Sequence, residues 1–336
     1  MINKNLISLA AGAALLASSA VQAQDWEPSE PVTIIVPWSA GGATDASTRV
    51  LAGVLTEAIG QSFVILNQPG AAGSVGTRAV WDAPHDGMTI AAGAAADLGT
   101  YPVLGLLDVD IDQWRLYLWL ANPSLVSVPA DSEWEDFGDL LEALQTAEEP
   151  ITVSSSGLTG ATAITMQAIQ EVVDVNFRPI IFEGGNPAIV STAAGETQFT
   201  AQNATEQIDM IRAGRLRPLA VVAADAVELE GFGTVPSILD WMPELSLAPN
   251  YFGIFIPADA PQEVLDTLDR VWANEVANAD ALRNFAAERG SIFNTSFGDE
   301  ALAAAMPFLS INAWQQFDGG SAPNDPSEHG IPRPGE

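Results

Sequence analysis

The sequence contains no cysteine among its 336 residues. Disulfide bonds and thiolate metal ligands are therefore excluded, and so is attachment to a membrane through a lipidated cysteine. Asp108, Asp110 and Asp112 alternate as the residues of calcium loops do, but the glycine and the terminal glutamate of an EF-hand are absent. A solvated acidic turn accounts for these aspartates, and we expect no metal and no cofactor.

Positive charge is equally scarce. The chain has 12 lysine and arginine residues against 43 acidic residues, a formal net charge of −31, and Lys4 is its only lysine. Nucleic acids and anionic membranes require a basic surface, so neither is expected as a partner. The acidic residues are dispersed, which is typical of a solvated surface suited to high salt, where screening weakens self-repulsion.

Histidine occurs only at His85, in a Pro-His-Asp-Gly turn, and at His329, near the C-terminus. A Ser-His-Asp triad would therefore lack a base, and the chain has no Gly-x-Ser-x-Gly, P-loop or true Gly-x-Gly-x-x-Gly motif. We predict that the protein is not an enzyme. A serine hydrolase that uses a hydroxyl from the segment 154–156 stays open as an alternative.

Long hydrophobic runs are also missing, since no segment approaches the roughly 20 apolar residues of a membrane-spanning helix. The apolar stretch from Leu6 to Leu16 follows one lysine and leads to small residues ending in Val21-Gln22-Ala23. This pattern is typical of a secretory signal peptide. We expect cleavage after Ala23, export to the periplasm and no direct insertion into a membrane.

The 313 residues that remain, 336 less the 23 of the leader, are more than one core usually serves. Short β-branched runs alternate with helical patterns, which indicates an α/β fold with mostly parallel sheets flanked by helices. The predicted strands are 32–37, 63–67, 88–93, 114–120, 125–129, 151–155, 177–182, 197–202, 217–223 and 251–256. The predicted C-terminal helices are 261–277, 280–289 and 298–316.

Two breaks in composition suggest that the chain builds one lobe, crosses to a second lobe and then returns. The breaks are "ANPSLVSVPADSEWEDF" and "SLAPNYFGIFIPADAP". We predict lobe 1 from 24–124 and 250–317, lobe 2 from 125–249, and a flexible tail over 318–336, which is rich in proline and glycine. Ligands of open α/β sheets bind at the carboxyl ends of strands, so we expect a cleft site between the lobes.

A glycine-rich loop joins the first predicted strand to a helix in "VPWSAGGATDAST". Gly41 and Gly42 permit left-handed backbone and leave the surrounding N–H groups uncovered. A helix N-terminus carries unpaired N–H groups and partial positive charge, so a carboxylate can bind there without a basic side chain. Thr44 or Asp45 can cap the helix. A capping or bracing role suits Asp45 better than ligand contact, because its carboxylate would repel a bound carboxylate.

Three further loops have the same character: "NQPGAAGSVGTRAV", "VSSSGLTGAT" and "FEGGNPAIV". Serine and threonine hydroxyls in them can donate to an anion as well as cap a helix. Ordinary turn and capping chemistry would account for any one of these loops. Their combination favours an anion-binding site.

These segments resemble the Bug/TctC family, the extracytoplasmic substrate-binding proteins of tripartite tricarboxylate transporters. The resemblance covers nearly all of the mature chain. It rests on the opening segment "PVTIIVPWSAGGATDASTRVLAGVLTEAIGQSFVILNQPGAAGSVGTRAV" and on "APHDGMTI", "SSSGLTGA", "FEGGNPAIV", "IRAGRLRPLAV" and "YFGIFIPADAPQEVLDTL". The resemblance implies a two-lobed, type II periplasmic binding protein that closes on a small carboxylate and hands it to membrane permease subunits.

The resemblance also implies which residues hold the ligand. They are backbone groups of the first loop and hydroxyl, amide and glycine residues of the second lobe: Ser39, Ala40, Gly41, Gly42, Thr44, Ser155, Ser156, Thr159, Thr162, Gly184, Asn186 and Asn203. Trp38, Asp45 and Glu183 complete the candidate set.

Two of these residues depart from the family pattern, because Trp38 replaces a phenylalanine and Glu183 stands where lysine is common. If Glu183 faced the pocket, it would disfavour a second carboxylate and could receive an amine or a hydroxyl; otherwise it points to solvent.

The expected function is capture of a small organic carboxylate by a monomer that closes at hinges near 121–126 and 249–256. A module that presents the ligand to a membrane kinase would share the same site. The sequence leaves this alternative open.

Overall fold

The computed structural model describes residues 26–157 and 160–335. The signal peptide expected over 1–23 lies outside the described residues. The described chain contains two main β-sheets and a small hairpin, with helices packed on the sheet faces.

The first sheet has six strands. These strands are β1 (Val32–Val36), β2 (Phe63–Asn67), β3 (Thr89–Ala94), β4 (Trp114–Ala121), β12 (Tyr251–Pro257) and β13 (Ile292–Phe297). Their order across the sheet is β13-β4-β12-β3-β1-β2. Lobe 1 denotes the part of the molecule built on this sheet.

The second sheet has five strands in the order β7-β6-β8-β5-β9, and lobe 2 denotes the part built on it. These strands are β5 (Ser124–Pro129), β6 (Ile151–Ser155), β7 (Phe177–Ile181), β8 (Phe199–Thr200) and β9 (Leu216–Val222). The separate hairpin consists of β10 (Val227–Leu229) and β11 (Gly233–Val235).

Ten α-helices connect and cover the strands in the described part of the chain. They are α1 (Ala43–Ile59), α2 (Ser74–Trp81), α3 (Ala95–Val103), α4 (Phe137–Thr146), α5 (Ala161–Val172), α6 (Gly185–Ala193), α7 (Ala204–Arg212), α8 (Gln262–Asn274), α9 (Asp280–Glu288) and α10 (Gly298–Asp318). The three predicted C-terminal helices are confirmed within three residues at each end.

The two-lobed α/β architecture is confirmed, but the expectation of mostly parallel sheets is wrong. Within the described residues, the first sheet has two parallel and three antiparallel pairings. The second has two of each kind. The cause is the connection between the lobes: β4 carries the chain out of lobe 1 and β12 brings it back, so these neighbours run in opposite directions.

Both faces of each sheet are buried, which explains the continuous apolar runs in the sequence. Ile34 of β1 packs into a core with Trp119 and Trp272 on one face of the first sheet. Ile35 packs into a second core with Leu309 of α10 on the other face. Lobe 2 repeats this arrangement with two cores of its own.

The two connections between the lobes lie side by side. The chain leaves the first sheet after Ala121 and enters the second at Ser124, and it returns to the first sheet at Tyr251. The backbone N–H of Asn122 donates to the carbonyl of Asn250 over 2.9 Å. One hydrogen bond therefore ties the outgoing segment to the returning one.

The segment after α10, expected to be a flexible tail, packs against lobe 1 over its described residues. Ala322 and Ile331 are buried in the core beside α10. The indole N–H of Trp314 donates to the carbonyl of Pro332 over 2.9 Å. Although the segment is poor in apolar residues, Ala322 and Ile331 reach an existing core. The composition of the segment alone did not indicate this packing.

Among residues 26–157 and 160–335, no helix combines the length and the apolar character that crossing a membrane demands.

Candidate ligand-binding cleft

A small cavity of about 40 Å³ lies between the lobes, next to the carboxyl ends of β1, β3 and β6. Its lobe 1 wall includes Trp38, Gly42, Ala43, Thr44 and Asp97. Its lobe 2 wall includes Ser156, Gly160, Gly185, Asn203 and Glu206. Both lobes therefore contribute to one cavity at the position where ligands of α/β sheets bind.

Five helix N-termini meet at this cavity among the described residues. The N-cap residues of α1, α3, α5 and α7 line it, together with the first residue of α6: Gly42, Ala94, Gly160, Asn203 and Gly185. Each N-terminus carries about half a positive charge and several N–H groups without an intrahelical partner. Together they create a positive potential made of backbone.

Asp45 braces the first loop. Its carboxylate accepts from the backbone N–H of Gly41 over 2.9 Å, from the Asn67 amide over 3.0 Å and from the Arg49 guanidinium over 2.8 Å. Burial alone would raise the pKa of Asp45, but hydrogen bonds from Arg49, Gly41 and Asn67 outweigh it and lower the pKa. Gly41 has φ of 83°, a left-handed conformation that glycine adopts readily. The loop is therefore held in shape by an ionised carboxylate.

Glu206 of α7 reaches across the cleft to lobe 1. Its Oε1 accepts from the backbone N–H of Ala43, the first residue of α1, over 2.9 Å. Gly185 makes room for this contact, because a Cβ there would overlap the Glu206 carboxylate. Burial raises the pKa of Glu206 to about 7, and hydrogen bonds from Ala43 and Asn203 lower it only in part. The Glu206 carboxylate thus occupies the N-terminus of α1, where the sequence analysis expected a bound carboxylate.

Asp97 is the second acid of the cavity. It lies in the first turn of α3 and is only 7% exposed. Burial raises its pKa to about 7, and a hydrogen bond from the side chain of Trp38 opposes this rise only in part. None of the described residues that line the cavity is lysine, arginine or histidine. Asp97 and Glu206 therefore have no side-chain counter-charge in the cavity wall.

Three polar atoms of lining residues lack a hydrogen-bond partner among the described residues. They are Oε2 of Glu206, Oδ1 of Asn203 and Oδ1 of Asn250. All three are buried acceptors. Leaving a buried acceptor unpaired costs about 1–3 kcal/mol, so such groups normally mark the position of a missing donor.

Several predicted site residues meet at the cavity. Trp38, Gly42, Thr44, Ser156 and Asn203 line it. The hydroxyl of Ser156 donates to the side-chain oxygen of Gln202 over 3.2 Å, which orients the second-lobe loop.

Four other predicted residues lie in the contact between the first loop and the start of α6. Gly184 (φ 120°) packs on the Ser39 hydroxyl, and Gly41 packs near the Asn186 amide. Ala40 is exposed and does not line the cavity. These residues shape the closure of the cleft rather than its interior.

The remaining predicted residues lie elsewhere. Ser155 and Thr162 line a separate groove of about 500 Å³ beside the end of α10. The Ser155 hydroxyl donates to the carbonyl of Gly157 over 2.8 Å, and the Thr162 hydroxyl accepts from the N–H of Ala201 over 3.2 Å. Glu183 is exposed to solvent, and Thr159 lies outside the described residues.

Sequence reasoning missed Asp97 and Glu206. One local signal could have found them: each acid stands three residues after its N-cap, as Asp45 does after Gly42. An acidic residue in a first helical turn usually complements the helix dipole, so the pattern alone indicates a cap and not a site. What it could not indicate is that the helices bearing these acids meet at one cavity.

The sequence of this chain matches a family model described as "Tripartite tricarboxylate transporter family receptor" over residues 47–295. A relative from Pseudomonas sp. (strain P51), "UPF0065 protein in tcbD-tcbE intergenic region", is 30% identical over 280 residues. That alignment covers 81% of this chain and 82% of the relative.

Three solved structures have similar folds. The periplasmic binding protein BugD has a TM-score of 0.80 at 21% identity, covering 88% of this chain and 99% of its own. Rpa4515 of R. palustris, solved with adipate, has a TM-score of 0.79 at 24% identity, covering 89% and 100%. MatC of Rhodopseudomonas palustris, with bound malate, has a TM-score of 0.74 at 18% identity, covering 87% and 98%. At these identities the likeness concerns the fold.

Proposed function

The chain belongs to the tripartite tricarboxylate transporter receptor family, and from this membership and the geometry of the cleft we propose that it is a solute receptor. It captures a small organic carboxylate in the periplasm and delivers it to the membrane permease of a tripartite transporter. The observation that carries the proposal is the convergence of five helix N-termini on one cavity between the lobes.

The helix N-termini supply what a carboxylate needs. A hydrogen bond to a charged partner contributes about 1.5–3 kcal/mol, so a few N–H donors give micromolar binding without a basic side chain. This suits a chain whose only lysine lies in the expected leader. Two proteins of the same fold were solved with carboxylates, adipate and malate, which supports a carboxylate ligand here.

Capture occurs by closure of the lobes around the connection at Asn122 and Asn250. The ligand contacts both walls and therefore stabilises the closed form. Further contacts join the lobes away from the cavity. The Arg289 guanidinium of lobe 1 pairs with Asp209 of α7 over 2.6 Å, and the side-chain amide of Gln316 in α10 donates to Gln167 in α5 over 3.2 Å.

The serine-rich loop supports binding rather than hydrolysis. The hydroxyls of Ser154, Ser155 and Ser156 are hydrogen-bonded to Thr192, Gly157 and Gln202, none of which is a base. The two histidines lie in lobe 1, where His85 pairs with Asp259 and His329 pairs with Asp110. A hydrolytic nucleophile would need a base within hydrogen-bonding reach.

The proposal is tested by calorimetric titration of protein that has been unfolded and refolded to remove any solute retained from the host. Mono-, di- and tricarboxylates, with and without amino groups, are titrated at low and high salt. We expect 1:1 binding of at least one of them. The proposed function is wrong if no carboxylate in the panel binds at either salt concentration while the refolded protein retains its native circular dichroism spectrum.

A further inference from the structure

We propose that the solute of this cleft is a zwitterion, a small carboxylate that also carries a protonated amine, and that Glu206, Asp97 and Asn203 form the subsite for its ammonium group. This inference rests on the proposed function, because it assumes that the cleft receives a carboxylate. It adds the requirement that the ligand also carries a positive charge.

The charge of the cavity wall carries the first step. Asp97 and Glu206 line the cavity, and none of its described lining residues is basic. The five helix N-termini amount to between two and three positive charges, which Asp97 and Glu206 in their ionised forms offset together with Asp45 in the first turn of α1. A dicarboxylate would add two uncompensated negative charges to a small cavity. A zwitterion adds none.

The unpaired atoms carry the second step. Oε2 of Glu206, Oδ1 of Asn203 and Oδ1 of Asn250 are buried acceptors without a donor among the described residues. A carboxylate offers only acceptors, and a hydroxyl offers one donor. An ammonium group offers three donors and no acceptor. It is the ligand group whose hydrogen-bonding capacity matches this part of the wall.

The position of these groups carries the third step. Asn203 is only 8% exposed although it carries an unpaired oxygen, so this oxygen lies in the interior and not in solvent. Glu206 binds lobe 1 through Oε1 and leaves Oε2 unpaired. An ammonium group bound to Oε2 would strengthen the same carboxylate bridge that joins the lobes. The carboxylate of the ligand would then accept hydrogen bonds from N–H groups at the other helix N-termini.

The test is calorimetric titration of the refolded protein with matched pairs that differ only in an amino group. The pairs are butanoate with 2-aminobutanoate and 4-aminobutanoate, and pentanedioate with 2-aminopentanedioate. They are titrated into the wild type, Glu206→Gln, Asp97→Asn and a control, Glu196→Gln, which removes an exposed charge of lobe 2. One set of titrations contains EDTA, and a parallel set contains millimolar Mg²⁺ or Ca²⁺ in its place.

We expect an amino compound to bind the wild type at least about tenfold more tightly than its partner without the amine. In Glu206→Gln that preference falls to near unity, because the ammonium group loses its anionic partner while the plain carboxylate loses none. The control keeps the wild-type preference. Asp97→Asn reduces the preference in the same direction, and its melting curve establishes that it is folded.

Three results would overturn the inference while leaving carboxylate binding intact. In the first, the plain carboxylates bind as tightly as the amino compounds. In the second, Glu206→Gln and Asp97→Asn both keep the wild-type preference. In the third, plain carboxylates bind tightly only with the divalent cation, which would make a metal the occupant of the subsite. Absence of binding by every compound would instead refute the proposed function itself.

Discussion

The carboxylate of Glu206, in lobe 2, accepts a 2.9 Å hydrogen bond from the backbone N–H of Ala43, in lobe 1, 163 residues earlier in the chain. Ala43 is the first residue of α1, so the carboxylate sits at the positive end of that helix. The protein thus closes its cleft partly with its own anion. This contact links the electrostatics of the site to the relative position of the lobes.

Removal of the Glu206 contact is expected to open the ligand-free protein. A charge-assisted hydrogen bond contributes about 1.5–3 kcal/mol, which corresponds to a shift of roughly 10- to 150-fold in the ratio of closed to open molecules. Glu206→Ala should therefore have a larger radius of gyration than the wild type in small-angle scattering. Glu206→Gln, which retains a neutral acceptor, should lie between them. Identical scattering of all three proteins would contradict a closing role for this contact.

Gly185→Ala is expected to weaken ligand binding by at least about tenfold, because the added methyl group overlaps the Glu206 carboxylate and displaces it from the N–H of Ala43 in the other lobe. The matched control is Gly53→Ala, on the exposed side of α1, where an added Cβ meets no atom within 4 Å. That change should leave affinity unaltered and raise the free energy of unfolding by about 0.5–1 kcal/mol. Equal affinities of the two variants would count against the closure mechanism.

The ligand-free protein is expected to lose stability as the pH rises from about 4 to about 7. Burial raises the pKa of Asp97 from 3.8 and that of Glu206 from 4.5, both to about 7. In this window the unfolded chain has already released these protons while the folded protein retains them, so ionisation favours unfolding until the folded pKa is passed. The neighbouring Tyr101 stays neutral, because burial and then Asp97 raise its pKa well above 10.

Asp97→Asn isolates this effect from the general repulsion of a chain with net charge −31. Its midpoint of thermal unfolding should fall less steeply than that of the wild type between pH 4 and pH 7. An equally steep fall in both proteins would exclude Asp97 as the cause.

Larger apolar ligands are expected to use a second cavity. About 300 Å³ of mostly apolar space adjoins the cleft and shares Ala161, Ile164 and Asn250 with it. The cleft itself is smaller, at about 40 Å³. Affinity should therefore rise with apolar chain length, and Ile311→Trp, which fills the second cavity, should abolish that rise without affecting the shortest ligands. Calorimetry along a homologous series tests this; no dependence on chain length would contradict it.

Added NaCl is expected to stabilise the protein. Raising the concentration from about 0.1 to 1 M shortens the screening length from about 10 to 3 Å and weakens repulsion among the acidic surface residues. The midpoint of thermal unfolding should rise, whereas an uncharged solute of equal osmolality should raise it less. A midpoint that is insensitive to NaCl would show that the surface charges contribute little.

Much of the fold could be predicted because it follows from local patterns. The run "VTIIV" indicates a strand buried on both faces, and Gly60 ends the helix that follows in the left-handed conformation. Strand β13 escaped prediction because its apolar residues, Ile292, Phe293 and Phe297, do not alternate with polar ones along the strand. The direction of β12 depends on the return from lobe 2, which no local pattern encodes.

The site was predictable only in part for a related reason. Gly42 and Thr44 were found because their loop chemistry is local. Glu206 was missed because its role depends on Ala43 in the other lobe. Ser155 and Thr162 were predicted because the family resemblance implies ligand contacts from hydroxyl residues of the second lobe. The structure directs both side chains to other partners.

The central claim is that a small carboxylate binds between the lobes and that Glu206 helps to hold the cleft closed around it. The most direct test is a calorimetric titration of the refolded wild type, Gly185→Ala and Gly53→Ala with the amino and plain carboxylates. The account predicts 1:1 binding by the wild type and Gly53→Ala, and affinity at least about tenfold lower for Gly185→Ala. Binding that is equal in all three proteins, or absent from the wild type for every carboxylate, would contradict it.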